Sequence, residues 1–162
     1  MLNPVKKDSG RTDVAKRAIP ASPEEIFSCF CDSDTLLQWL PPKGMIGRAH
    51  EYDFRQGGFY RIELEYPKGD LGRGKTTGQS DISKGCFVEI VANRKIRQTV
   101  EFEGSDLMTM MMTWTFYPVK DGTSVTVTAE NVPSDISAED HQEGMTSSLD
   151  NLAAFLGGSR TE

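Results

Sequence analysis

Leu107-Met108-Thr109-Met110-Met111-Met112-Thr113-Trp114-Thr115-Phe116-Tyr117 carries Met108, Met110, Met112, Trp114 and Phe116 on alternate positions, with Thr109, Met111, Thr113 and Thr115 between them. A period of two places the first set on one face of a β-strand. Methionine repacks around varied shapes, and an indole offers a flat apolar wall with one N–H donor. Such a face suits a filled core or the lining of a cavity for an apolar guest.

Outward from this strand, turn residues recur and β-branched and aromatic residues cluster between them. Six strands are predicted between Met45 and Asn131: Ile46–Phe54, Phe59–Tyr66, Thr77–Val91, Ile96–Phe102, Leu107–Tyr117 and Thr123–Asn131. Gly57–Gly58 divides the first two, and Lys120-Asp121-Gly122 marks a hairpin turn. Tyr60, Ile62, Leu64 and Tyr66 alternate with Arg61, Glu63 and Glu65, so one face of that strand is buried and the other wet.

Upstream, residues 11–19 read as a strand that stops at Pro20. Ser22-Pro23-Glu24-Glu25 is a capping box, with Ser22 at N-cap, Pro23 at N1 and Glu25 at N3 reaching back. Ile26, Phe27 and Phe30 share a face of that helix. Asp32-Ser33-Asp34 interrupts it before a second short helical turn with Leu36, Leu37, Trp39 and Leu40, ended by Pro41–Pro42. Downstream, Ala138, His141, Met145, Leu149, Leu152, Ala153 and Leu156 recur at three- and four-residue steps, predicting a helix over Ser137–Leu156 stopped by Gly157–Gly158. A helix of ~20 residues is nearly 30 Å long, enough to close the open face of a curved sheet. One strand, two short helices, six strands and one long helix is the element order of an α+β helix-grip fold.

The chain resembles the START-like superfamily (SRPBCC), in the branch named for homologues of the activator of heat shock protein 90 ATPase. The resemblance is carried by Ile19-Pro20-Ala21-Ser22-Pro23-Glu24-Glu25-Ile26-Phe27, Leu37-Gln38-Trp39-Leu40-Pro41-Pro42, Glu51 through Arg61, Gly85 through Ile90, and Asp140-His141-Gln142-Glu143-Gly144. It spans roughly residues 11–157 in unbroken order. It implies a curved seven-stranded antiparallel sheet wrapped around the C-terminal helix, enclosing an elongated cavity. It does not imply one activity, since members include small-molecule binders, polyketide cyclase-like or hydrolase-like enzymes, stress-response proteins and the chaperone-activating domain itself. Where relatives often carry Trp after the glycine of the last helix, this chain has Met145, which implies a roomier, softer cavity end.

With 162 residues the chain fits one domain. The expected division is a flexible N-terminal segment at 1–10, a single domain at 11–157 and a tail at 158–162. Charged residues are 26% and hydrophobic ones 37%, and no apolar run approaches the ~18 residues of a membrane span. Three cysteines form no even disulfide framework, and Met1–Gly10 lacks a secretory apolar core, so a reducing cytoplasm is expected. The net charge of −6 and sequence pI near 5.0 leave no basic field for nucleic acid.

Gly69-Asp70-Leu71-Gly72-Arg73-Gly74-Lys75-Thr76 satisfies the phosphate-loop pattern G-x-x-x-x-G-K-[ST], but that loop works only where a helix N-terminus follows. Thr76-Thr77-Gly78-Gln79 reads instead as the return strand of a hairpin, so a loop at the cavity mouth is expected. Cys29 and Cys31 point about 200° apart on a helix and Cys86 is distant, so no metal spacing exists and buried, unreactive thiols are expected.

Trp39, Tyr60, Met110, Met112, Trp114 and Met145 are the candidate ligand contacts, because alternation and helix phase direct them to one interior. For catalysis the candidates are His50, on the same strand parity as Arg48 and Tyr52, and Tyr60. The alternative is that Arg48 and His50 face solvent. His141 reads as a core or cavity histidine. The expected function is binding of a small hydrophobic molecule as carrier or sensor, without cofactor. The alternatives are a cyclase- or hydrolase-like enzyme and a chaperone-associated stress-response protein. Monomer and homodimer are both open: strand 11–19 could pair across a dimer, while Arg11, Asp13 and Lys16 would equally protect a monomer edge.

Overall fold

In the computed structural model, which describes residues 10–67 and 79–160, the order is β1 (Arg11–Ile19), α1 (Pro23–Ser28), α2 (Ser33–Leu36), β2 (Ile46–Tyr52), β3 (Phe59–Glu65), β4 (Ser80–Val91), β5 (Lys95–Phe102), β6 (Met110–Val119), β7 (Gly122–Val132) and α3 (Ala138–Arg160). The strands form one antiparallel sheet in the order β1-β7-β6-β5-β4-β3-β2, leaving β1 and β2 as edges. This is the expected helix-grip α+β fold. The phosphate-loop-like segment Gly69–Thr76 and the expected strand start at Thr77 lie outside the described residues.

Local chemistry sets the element ends. Ser22 Oγ accepts from the Glu25 amide at 3.1 Å while Glu25 Oε1 accepts from the Ser22 amide at 2.9 Å, which satisfies two orphan donors of α1. Asp32 caps α2 with one such bond, its Oδ1 accepting from the Thr35 amide at 2.8 Å. At the β6–β7 turn Asp121 adopts φ 66°, a left-handed conformation that Asp tolerates. α3 continues through Gly157 and Gly158 to Arg160 instead of stopping there. Glycine weakens a helix without forbidding it.

Three side chains of α3 secure the segment after α2. Ser148 Oγ donates to the Leu40 carbonyl at 2.7 Å, and Asn151 Nδ2 donates to the carbonyls of Trp39 and Pro41 at 3.1 and 2.9 Å. Ser147 Oγ accepts from the Lys43 amide at 3.1 Å. The carbonyls left over where the α2 segment ends are thereby paired. Met145, Leu149, Leu152 and Leu156 of α3 are buried with Ile96, Val125, Val127 and Phe116 of the sheet in one core. No described helix is long and apolar enough to cross a membrane.

Candidate functional site

Between sheet and α3 lies a cavity of about 760 Å³, within the range of small-molecule sites. Tyr60, Met110, Met112, Trp114 and Met145 line it. Trp39 does not. It is completely buried, its Nε1 donates to the Cys29 carbonyl at 3.1 Å, and its ring meets Phe30 and Trp114 edge-on at 5.0 and 5.8 Å. Trp39 thus backs the wall that Trp114 and Phe30 present.

One end of the cavity is aromatic. Phe30, Tyr52, Tyr60, Phe87 and Trp114 line it, with Phe87 at 5.6 Å from Tyr52 and 5.3 Å from Tyr60 and Phe30 at 5.1 Å from Trp114. Both phenols are already engaged. Tyr52 donates to the Phe30 carbonyl at 2.6 Å and Tyr60 to the Thr99 carbonyl at 2.5 Å. Burial raises the pKa of each well above the ordinary phenol value, and for Tyr60 a hydrogen bond from Gln98 only partly offsets that rise. A phenol held protonated and donating to a backbone carbonyl is a poor proton shuttle.

The other end lies where β3 and β5 finish and β4 and β6 begin, as the pairings Leu64 with Asp81, Ser83 with Phe102 and Val100 with Met110 establish. There Asp81, Asp135, Asp140, Glu143, Lys43 and His141 join the lining. Asp81 accepts from the Tyr66 hydroxyl at 2.7 Å. His141 Nδ1 lies 2.7 Å from Asp13 Oδ2, and Asp13 Oδ1 accepts from Arg11 Nε at 2.8 Å. Arg11 also donates to the Ile136 carbonyl at 2.6 Å. Asp13 is only 8% exposed. Burial raises its pKa, but hydrogen bonds and charge from Arg11 and His141 outweigh that and hold it below the usual carboxylate value. Arg11 and Asp13, expected to guard the free edge of β1, are thus turned to the start of α3.

His50 is outside the cavity. The β2–β3 register shifts between Ala49 and Glu51, a bulge that separates the parity of His50 from that of Tyr52. Tyr52 therefore turns inward, whereas Arg48 and His50 face out to Glu65 and Glu63 at 3.0 and 2.9 Å. The hydrogen bond from His50 lowers the Glu63 pKa, against a smaller effect of burial. Strict alternation had put His50 and Tyr52 on one face, and the extra residue is what breaks it.

The cysteines also differ in part from expectation. Cys29 is buried and its thiol is pushed up to about 11 by burial, but Cys31 is exposed and Cys86 half-buried. Cys31 lies beyond α1, where the chain turns toward Asp32, and burial of its sulfur together with the Asp32 charge still raises its pKa. Neither thiol is activated.

A long C-terminal helix laid against an open antiparallel sheet, with a hollow between them, defines a helix-grip protein. The model of the activator of Hsp90 ATPase homolog 1-like proteins matches residues 20–157. The chain belongs to that family. Among solved structures it is similar to a protein from Chromobacterium violaceum at 31% identity and TM-score 0.80, covering 90% of this chain and 96% of that one. A protein from Rhizobium loti is similar at 25% identity and TM-score 0.65, covering 88% and 94%. One from Mycobacterium smegmatis shares the fold at 17% identity and TM-score 0.75, covering 95% and 96%. None of the curated proteins matches the chain.

Proposed function

We propose that the protein binds a small, largely apolar molecule in the cavity between the sheet and α3, as a carrier or sensor. The observation that carries this reading is the 760 Å³ hollow itself, walled by Met110, Met112, Trp114 and Met145 where a filled core would otherwise sit. A cavity with an aromatic and methionine-lined end and polar groups gathered at the other has the parts of a small-molecule site. Enzymatic use of His50 or Tyr60 has no support in the geometry, because one faces away from the cavity and the other spends its proton on a carbonyl. A chaperone partner is the other reading the family allows; it would use the outer surface of the sheet, not the cavity.

Native mass spectrometry of gently purified protein, followed by solvent extraction, tests this. The expected result is an apolar compound at near-stoichiometric occupancy that is lost in Gly144→Phe, because an added side chain at Gly144 grows into open space on the cavity wall. Wild-type protein that holds nothing, and takes up no apolar compound when offered a panel of them, would sink the reading.

A further inference from the structure

His141 is a lining residue whose ring is held by a side chain of another element across the cavity edge. It lines the hollow from the first turns of α3, its side chain is 17% exposed, and its Nδ1 is held 2.7 Å from Asp13 of β1. Asp13, anchored by Arg11, is an ionised carboxylate and can only accept, so Nδ1 must donate. A neutral imidazole that donates from Nδ1 presents a lone pair at Nε2. Nε2 has no hydrogen-bond partner among the described residues.

The remaining charges around this end narrow the ligand further. Asp135, Asp140 and Glu143 are exposed carboxylates, and Lys43 is the single lysine or arginine among the described lining residues. Among the described lining residues, these three carboxylates against one ammonium disfavour an anionic head group, which weighs against a fatty acid or an aromatic acid.

We propose that the cavity takes an uncharged apolar molecule bearing a hydroxyl, a phenol or an alcohol, whose O–H donates to Nε2 of His141. This rests on the binding reading above and adds the class of ligand. The Asp13–His141 pair is a positioning device: it selects the tautomer that accepts.

Equilibrium dialysis at pH 8 with 2-naphthol, 2-methoxynaphthalene and 2-naphthoate tests it on the intact chain. Wild-type protein is expected to bind the naphthol about tenfold more tightly than its methyl ether, the scale of one hydrogen bond, and to bind the naphthoate least. In Asp13→Asn the new amide donates to Nδ1 and moves the ring proton to Nε2, so the preference for naphthol over the ether is lost or reversed. His141→Phe is expected to keep the affinity for the ether and lose the preference. A merely structural Asp13 would weaken all three probes alike. Equal binding of naphthol and ether to wild type, or tightest binding of the naphthoate, overturns the inference and leaves cavity binding standing. Binding of none of the three overturns the inference, and together with an empty native mass spectrum and no uptake from the wider panel it overturns the binding reading too. The wild-type comparison decides the matter even where a variant fails to fold.

Discussion

The hydroxyl of Tyr60 donates to the carbonyl of Thr99 at 2.5 Å, passing over Gly85, the residue that faces Tyr60 on the strand between them. A Cβ at Gly85 would sit 1.9 Å from that same carbonyl. β4 and β5 pair Lys84 with Glu101 and Phe87 with Gln98, and between these points the Cys86 amide donates to Thr99 Oγ1 at 2.9 Å. Side chains thus supply hydrogen bonds where Gly85 lies between Tyr60 and Thr99, and the phenol reaches across the glycine.

Gly85→Ala is expected to destabilise the protein by about 3 kcal/mol, because the clash is with backbone that cannot swing away. Tyr60→Phe removes one buried donor and leaves its carbonyl acceptor, so a loss of about 1–1.5 kcal/mol is expected. Urea denaturation of each variant measures both. A Gly85→Ala protein as stable as wild type would mean that the close approach is not kept in solution.

Gly144→Ala is expected to act the other way. An ideal Cβ there meets nothing within 4 Å, and alanine favours an α-helix over glycine by about 1 kcal/mol. A rise in denaturation midpoint at unchanged slope is the readout.

Acid should separate Asp13 from the other carboxylates. Its pKa in the fold is held below 3.8, so the unfolded chain takes up this proton first as the pH falls. The stability it contributes is therefore complete above about pH 5 and is lost as the pH drops through 3.8 and on through the folded value. Glu63 and Glu103 are depressed in the same direction by His50 and Arg61, so both proteins weaken in acid. The difference between wild type and Asp13→Asn isolates Asp13, and that gap should shrink between pH 6 and pH 3.5 in paired urea titrations.

His50→Ala is expected to change stability by less than about 1 kcal/mol, since an exposed pair with Glu63 contributes little. Its binding of naphthalene probes should match wild type in dialysis. Trp39→Ala, although outside the lining, should cost about 3–5 kcal/mol through the void it leaves behind Phe30 and Trp114. Thermal unfolding ranks the two, and a large loss for His50→Ala would contradict its outward placement.

Much of the fold was legible because its signals are local. The capping box at Ser22–Glu25 and the turn at Lys120–Gly122 each depend on neighbours a few residues away and formed as read; the alternation read from Leu107 to Tyr117 formed from Met110 onward, leaving Leu107, Met108 and Thr109 outside the strand. The helix stop at Gly157 did not form, because a weak local preference against helix is not a prohibition. Within the site, Met110, Met112, Trp114, Met145 and Tyr60 carried a readable phase. Trp39 carried no such information, since a short helix does not reveal whether an aromatic ring reaches a cavity or backs its wall.

The amino-acid sequence by itself determined the order of elements, the buried face of each strand without a bulge, and the apolar stripe of the last helix. Those follow from periodicities of 2 and 3.6 and from caps and turns. Tertiary structure alone decided that a hollow remains, that a bulge after Ala49 turns His50 outward while Tyr52 turns in, and that Asp13 meets His141 across 128 residues of chain. Each of these depends on where two distant segments come to lie, and residue spacing along one strand or helix carries no record of the segment packed against it.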